Sequence, residues 1–152
     1  MLSMSDIHSY EEELSLHGKI LRTNKGVSMM PLLREGRDVM IIEKKQGRLK
    51  KYDAPLYMRG NEYVVHRIVK VRVNSYDIIG DNCIKIERGI TDEQIIGVLT
   101  GVIRNGKTIY ADSFKYKLYC HIWCDFLYVR IGILKIINLF RVAKRKIKNK
   151  PF

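Results

Sequence analysis

Between residues 24 and 110 the apolar positions fall in short runs, rich in Val, Ile and Tyr and parted by turn residues. The runs lie at 38–42, 54–58, 63–71, 75–79 and 95–103, and between them stand Gly47, Arg59-Gly60-Asn61, Asn74, Gly80-Asp81-Asn82 and Asn105-Gly106. Runs of this length and spacing predict an all-β core of antiparallel hairpins that closes into a small barrel or a sandwich. Asn105-Gly106, set between Ile103 and Ile109, has the residues of a two-residue hairpin turn. Ahead of the β region, Ser9 followed by Glu11, Glu12 and Glu13 reads as a helix start, because carboxylates in the first turn favour the helix dipole. A short helix over 10–20 follows, with Leu14, Leu16 and Ile20 as its apolar side.

After Asp112 the period changes. Leu118, Ile122, Phe126, Val129, Ile133, Ile136, Ile137 and Phe140 recur at three- and four-residue steps, which predicts one amphipathic helix over 118–142. Asp125, Arg130, Lys135 and Arg141 interrupt it, so no charge-free run reaches the ~18–20 residues of a membrane span. The chain thus divides into a β-rich unit at 1–112, with its core at 24–110, and a C-terminal helix with a basic tail at 113–152.

Charge sharpens this division. The 152 residues carry 28 Lys and Arg against 16 acids, a net +12, and 8 of these 12 charges lie in the acid-free stretch after Asp125. The first 17 residues hold four acids and no Lys or Arg, unlike a signal peptide, which starts basic; the expected location is cytoplasmic. Three placements of the C-terminal helix remain open, a membrane span ranking behind the other two. It packs on the β core, or it lies in a membrane interface with Trp123 and Tyr128 at headgroup depth and the basic tail on anionic lipid. Nucleic acid ranks last as a partner, because the tail interleaves almost no aromatics with its Lys and Arg after Phe140. Three Cys make no closed disulfide framework, and Cys120-x3-Cys124 lacks the second pair that a zinc site needs. The thiols read as reduced and structural, and no metal or cofactor is expected.

Candidate chemistry centres on Gly26-Val27-Ser28-Met29-Met30-Pro31. A Ser beside Gly, closed by Pro on a turn entering a strand, exposes its hydroxyl and aims neighbouring N–H groups at one point. Gly26 and Met29 would shape that turn. A free Ser needs a base, and His66 in the run 63–71 is the candidate. On an unbroken strand Val64, His66 and Ile68 would share one face, with Val65, Arg67 and Val69 on the other. Arg67 there either anchors a carboxylate or covers the strand, the second role ranking first. Asp81, at the end of the next run, is placed to orient the imidazole. Cys83 follows the same turn and reads as structural.

The ordered series of GVSMMP, a Gly-x-Asp at Gly36–Asp38, LKKYDAPLY, YVVHRIV, IIGDN and IIGVLTGV resembles the signal peptidase I and LexA peptidase clan, most closely its Ser–His signal peptidases. It runs over residues 26–102. The resemblance implies a LexA/signal-peptidase-like β fold and a serine endopeptidase acting on a peptide or preprotein. Ser28 would be its nucleophile, and His66 would stand where other members carry Lys. Asp81 matches the Gly-Asp-Asn element, and Asp53 an acidic position with a structural role. It also implies β-augmentation of an extended peptide with small residues before the cut. The chain departs from the clan in lacking an N-terminal anchor, in having Gly26 where many members add a hydroxyl, and in inserting Arg37 before Asp38. A second reading keeps the fold without catalysis, as a β module that binds a peptide or an anionic membrane surface.

Overall fold

The computed structural model describes residues 9–148; the acidic Asp6 and the end of the basic tail at Lys150 lie outside them. The protein is mainly β, with nine antiparallel strands in two sheets and three α-helices among the described residues. Helix α1 (Tyr10–His17) starts where the sequence predicts, the Ser9 hydroxyl accepting from the Glu12 amide. It ends earlier than the apolar spacing suggests. Gly18 adopts φ 71° and closes the helix by donating its N–H to Leu14. Ile20 therefore lies buried on strand β1 (Lys19–Thr23), while Leu16 is exposed.

The larger sheet has the order β1, β2 (Asp38–Lys44), β8 (Ile95–Arg104), β3 (Pro55–Arg59), β4 (Glu62–Val65), with β9 (Lys107–Tyr110) paired to β8 through the Asn105-Gly106 turn. The smaller sheet is β5 (Arg67–Val71), β6 (Tyr76–Ile79), β7 (Glu87–Ile90). The run at 63–71 is thus two strands rather than one, separated at His66, where the chain passes from one sheet to the other. Alternation fails there. Val65, His66, Arg67 and Ile68 are all buried in succession because both sheets and α2 (Phe114–Asp125) enclose this crossing.

Among the described residues no closed barrel forms. The path of the large sheet ends in β1 and β4, with β9 as a branch on β8, and α1 spans the gap between β1 and β4. Tyr10 stacks on Tyr63 of β4 at 4.3 Å between centroids, the Tyr63 hydroxyl donates to Glu11, and Arg22 of β1 pairs with Glu13. The main core lies inside this curl and includes Leu14, Ile20, Met29, Leu33, Ile42, Leu56, Val102 and Tyr116. A second core around Tyr57, Ile68, Tyr76 and Ile78 joins the two sheets.

The C-terminal segment is two helices, broken at Phe126: α2, and then α3 (Leu127–Lys148). Helix α2 packs on the β core with Tyr116, Cys120 and Cys124, one turn apart. The apolar series predicted to form one face is turned outward: Leu118, Ile122, Phe126, Val129, Ile133, Ile136, Ile137 and Phe140 are all exposed. Trp123 is not free for a headgroup, since its Nε1 donates to the Asp81 carbonyl at 2.7 Å and its ring stacks on Tyr119. No helix among the described residues is long and apolar enough to cross a membrane.

Candidate active site

The Ser28 turn is held from three sides. Gly26, at φ 79°, lets the chain reverse, and its N–H donates to the Glu35 carboxylate at 3.0 Å. Met30 N–H donates to the Val27 carbonyl and Leu33 N–H to the Met29 carbonyl, so the turn runs into a single helical coil; the Met30–Pro31 peptide bond is cis. The Met29 side chain is buried in the main core and anchors the turn from below. Behind it Asp38 accepts hydrogen bonds from Arg37, Arg104 and the Arg34 amide, while Arg104 also donates to the Leu32 carbonyl. Burial pushes the Asp38 carboxyl up, but these donors outweigh it and hold it well below the usual range. On the third side Asn82 donates its backbone N–H to the Ser28 carbonyl at 2.8 Å and its side-chain amide to the Val27 carbonyl at 3.2 Å.

His66 comes to this turn from the crossing between the sheets. Its Nδ1 lies 3.0 Å from Glu87 Oε1 and 3.2 Å from the Tyr57 hydroxyl. A carboxylate only accepts, and the Tyr57 hydroxyl donates to the same Glu87 oxygen, so the proton of the imidazole is assigned to Nδ1 and the lone pair to Nε2. Nε2 faces Gly80. A Cβ at Gly80 would meet Nε2 at 3.0 Å, the Ser28 carbonyl oxygen at 2.7 Å and Cys83 Sγ at 2.6 Å, so only glycine lets these three groups converge. Burial lowers the His66 pKa, and the neighbouring Glu87 charge restores only part of it, so the ring is neutral at neutral pH.

Asp81, expected behind the imidazole, is engaged elsewhere. Arg67, the residue after His66, forks onto it with two hydrogen bonds of 2.8 Å, and both side chains are wholly buried. Tyr119 also donates to Asp81, and Arg67 is completed by the Tyr52 carbonyl, the Tyr116 hydroxyl and Cys120 Sγ. Arg67 therefore does not merely cover its strand. It ties β5, the Asp81 turn and α2 together. Glu87 takes the place behind His66 that the sequence reading gave to Asp81. Nothing local in the sequence marks it, because it is brought there by the pairing of Ile78 with Glu87 across β6 and β7. Asp53 is structural in its contacts, accepting from the Lys50 amide at 2.8 Å.

Ser28, His66 and Cys83 line one groove of about 900 Å³. Its walls are the end of β1 with Asn24 and Gly26 on one side, and β4 with Glu62 to Val65 on the other. Both walls belong to outer strands of the sheet, whose free backbone groups are open to a further strand. The Ser28 N–H and hydroxyl have no hydrogen-bond partner among the described residues, and no hydrogen bond joins the hydroxyl to His66. The Cys83 thiol is pushed up by burial, so it is not a thiolate competing as nucleophile. Among the described residues no group of three or more His, Cys, Asp or Glu is placed to hold a metal ion. No family model matches the chain, and no curated protein or solved structure matches it significantly.

Proposed function

We propose that the protein is a serine endopeptidase that cuts an extended peptide laid in the groove between β1 and β4. The observation that carries this reading is the meeting of the Ser28 turn with a neutral, Glu87-backed His66 across Gly80. In this reading His66 Nε2 takes the hydroxyl proton as Ser28 Oγ attacks the scissile carbonyl, and it returns the proton to the leaving amine. The unpartnered Ser28 N–H receives the oxyanion, an interaction typically worth ~3 kcal/mol in the transition state. Water then attacks the acyl-enzyme along the reverse path. Glu87 keeps the proton on Nδ1 and steadies the imidazolium that forms. The open edges of β1 and β4 suit main-chain pairing with an extended substrate, with groove side chains setting specificity.

The test is hydrolysis of a peptide library by the purified full chain, read by mass spectrometry beside Ser28→Ala and His66→Ala. The reading expects cleavage that falls by roughly 10⁴-fold or more in each variant while melting temperatures stay put. Cleavage that survives Ser28→Ala would overturn it, and absence of cleavage in the parent chain together with tight peptide binding would overturn it in favour of a binding module on the same scaffold.

A further inference from the structure

Helix α3 leaves the body of the protein with a naked apolar face. Its first turn is rooted: Leu127 is buried, and Arg130 is buried with Nη1 4.0 Å from Asp81 Oδ1 and its guanidinium over the Trp123 ring. After residue 134 every described side chain through 145 is exposed. Val129, Ile133, Ile136 and Phe140, spaced four, three and four apart, form one stripe, and they are 60%, 53%, 54% and 71% exposed. Lys135, Asn138, Arg141 and Arg145 fall on the opposite arc, and Lys144 lies beside the stripe. From Phe126 onward the chain has no acid at all.

We propose that α3 is a docking helix for an anionic phospholipid surface, lying in the plane of the interface with its apolar stripe at the acyl boundary and its basic arc among the headgroups. Spanning is excluded by its polar residues. Packing on the β core is excluded by the exposure of the stripe. Charge selects among the remaining occupants. Two copies joined through this stripe would bring acid-free basic flanks together with nothing to offset them, whereas an anionic bilayer offers hydrocarbon for the stripe and negative charge for Lys135, Arg141, Lys144 and Arg145 at once. A nucleic acid would satisfy the charges and leave the stripe in water. The root of the helix adjoins the candidate site, because Asp81, close to Arg130, precedes the Asn82 that holds the Ser28 carbonyl. A docked α3 therefore sets the groove beside the bilayer.

The test is flotation of the purified full chain with phosphatidylcholine vesicles, with and without phosphatidylglycerol. It needs no peptidase activity, so it stands or falls independently of the catalytic reading. The expected result is binding to the phosphatidylglycerol vesicles that weakens steeply with added salt. Each of Lys144→Gln and Arg145→Gln should weaken it by about fivefold. The pair Ile136→Asn and Phe140→Asn should weaken it by at least about tenfold, with an unchanged melting temperature because both positions are exposed. Failure to float with anionic vesicles, or floating that ignores the stripe substitutions, overturns the proposal. A concentration-dependent dimer abolished by those substitutions assigns the stripe to a second copy, and duplex DNA binding in place of vesicle binding assigns the charges to nucleic acid; either outcome also overturns it.

Discussion

Glu87 Oε1 stands 3.0 Å from His66 Nδ1 and also accepts from the Tyr57 hydroxyl and Arg59, so one carboxylate oxygen fixes the imidazole from behind. Glu87→Gln keeps the shape and removes the charge, and its side-chain amide can turn a donor toward Nδ1. The proton then favours Nε2, where it blocks the base. We expect kcat to drop by roughly 10²–10⁴-fold with KM little changed, as when the orienting acid of a triad is neutralised. Steady-state kinetics decides this. A variant within threefold of the parent would leave Glu87 as a packing residue only.

Gly80 separates the two halves of the site. A methyl group there would lie 2.7 Å from the Ser28 carbonyl oxygen, which is backbone held by Asn82 and unable to swing aside. Gly80→Ala is therefore expected to displace the Ser28 turn and lower kcat/KM by at least about tenfold, since small misplacements of reacting groups are costly. Activity assays with a melting curve separate displacement from unfolding. Full activity in a stable Gly80→Ala protein would show that the convergence is not needed.

How much of this the sequence revealed depends on the range of the interactions. The Ser28 turn and the hairpins at 95–110 are made by neighbours in the chain, and Gly26, Pro31 and Asn105-Gly106 mark them. The mainly β class was legible for the same reason. Strand β1 was not, because Ile20 lies one helical step of four residues after Leu16 and only the left-handed Gly18 reveals the stop. The single run at 63–71 hides a passage between sheets, since its residues suit a strand throughout and the break at His66 is imposed by tertiary packing. The acid behind His66 was misassigned because Asp81 is nearer in sequence and sits in a turn. Its buried partner turned out to be the adjacent Arg67. The outward face of α3 was read as apolar spacing without direction, which spacing alone does not give.

The Arg67–Asp81 pair yields a stability prediction distinct from the catalytic ones. Both side chains are fully buried, and each is the other's main charge partner. Removing one strands the other, at a cost of about 3–5 kcal/mol. Asp81→Asn is thus expected to lower the urea midpoint sharply, and Arg67→Met as much. The double variant should recover part of the loss, because Arg67 is no longer left unpaired and only Arg130, 4.0 Å from Asp81, still faces the neutral amide. Urea denaturation of the four proteins forms a closed cycle. Additive losses would mean that the pair acts only as filler.

On the proposed peptidase reading, His66 links pH to both activity and stability, and the signs differ in what they reveal. Burial lowers its pKa below the ordinary 6.5, and Glu87 opposes this only in part. The folded ring therefore stays neutral, and able to accept a proton, below pH 6.5, so the acid limb of kcat/KM should fall at a pH under 6.5. For stability, the unfolded chain protonates first. Between the two pKa values it holds the extra proton, so the folded state loses stability as pH descends through 6.5, and above that pH the group contributes no pH dependence. Glu87→Gln removes the influence that raises the His66 pKa, so its acid limb should move still lower while the plateau falls. A pH–rate profile, with the His66 ring followed by NMR, measures both. A limb at or above 6.5 that tracks the His66 titration would mean that the ring is solvated in solution, and the buried base described here would have to be abandoned.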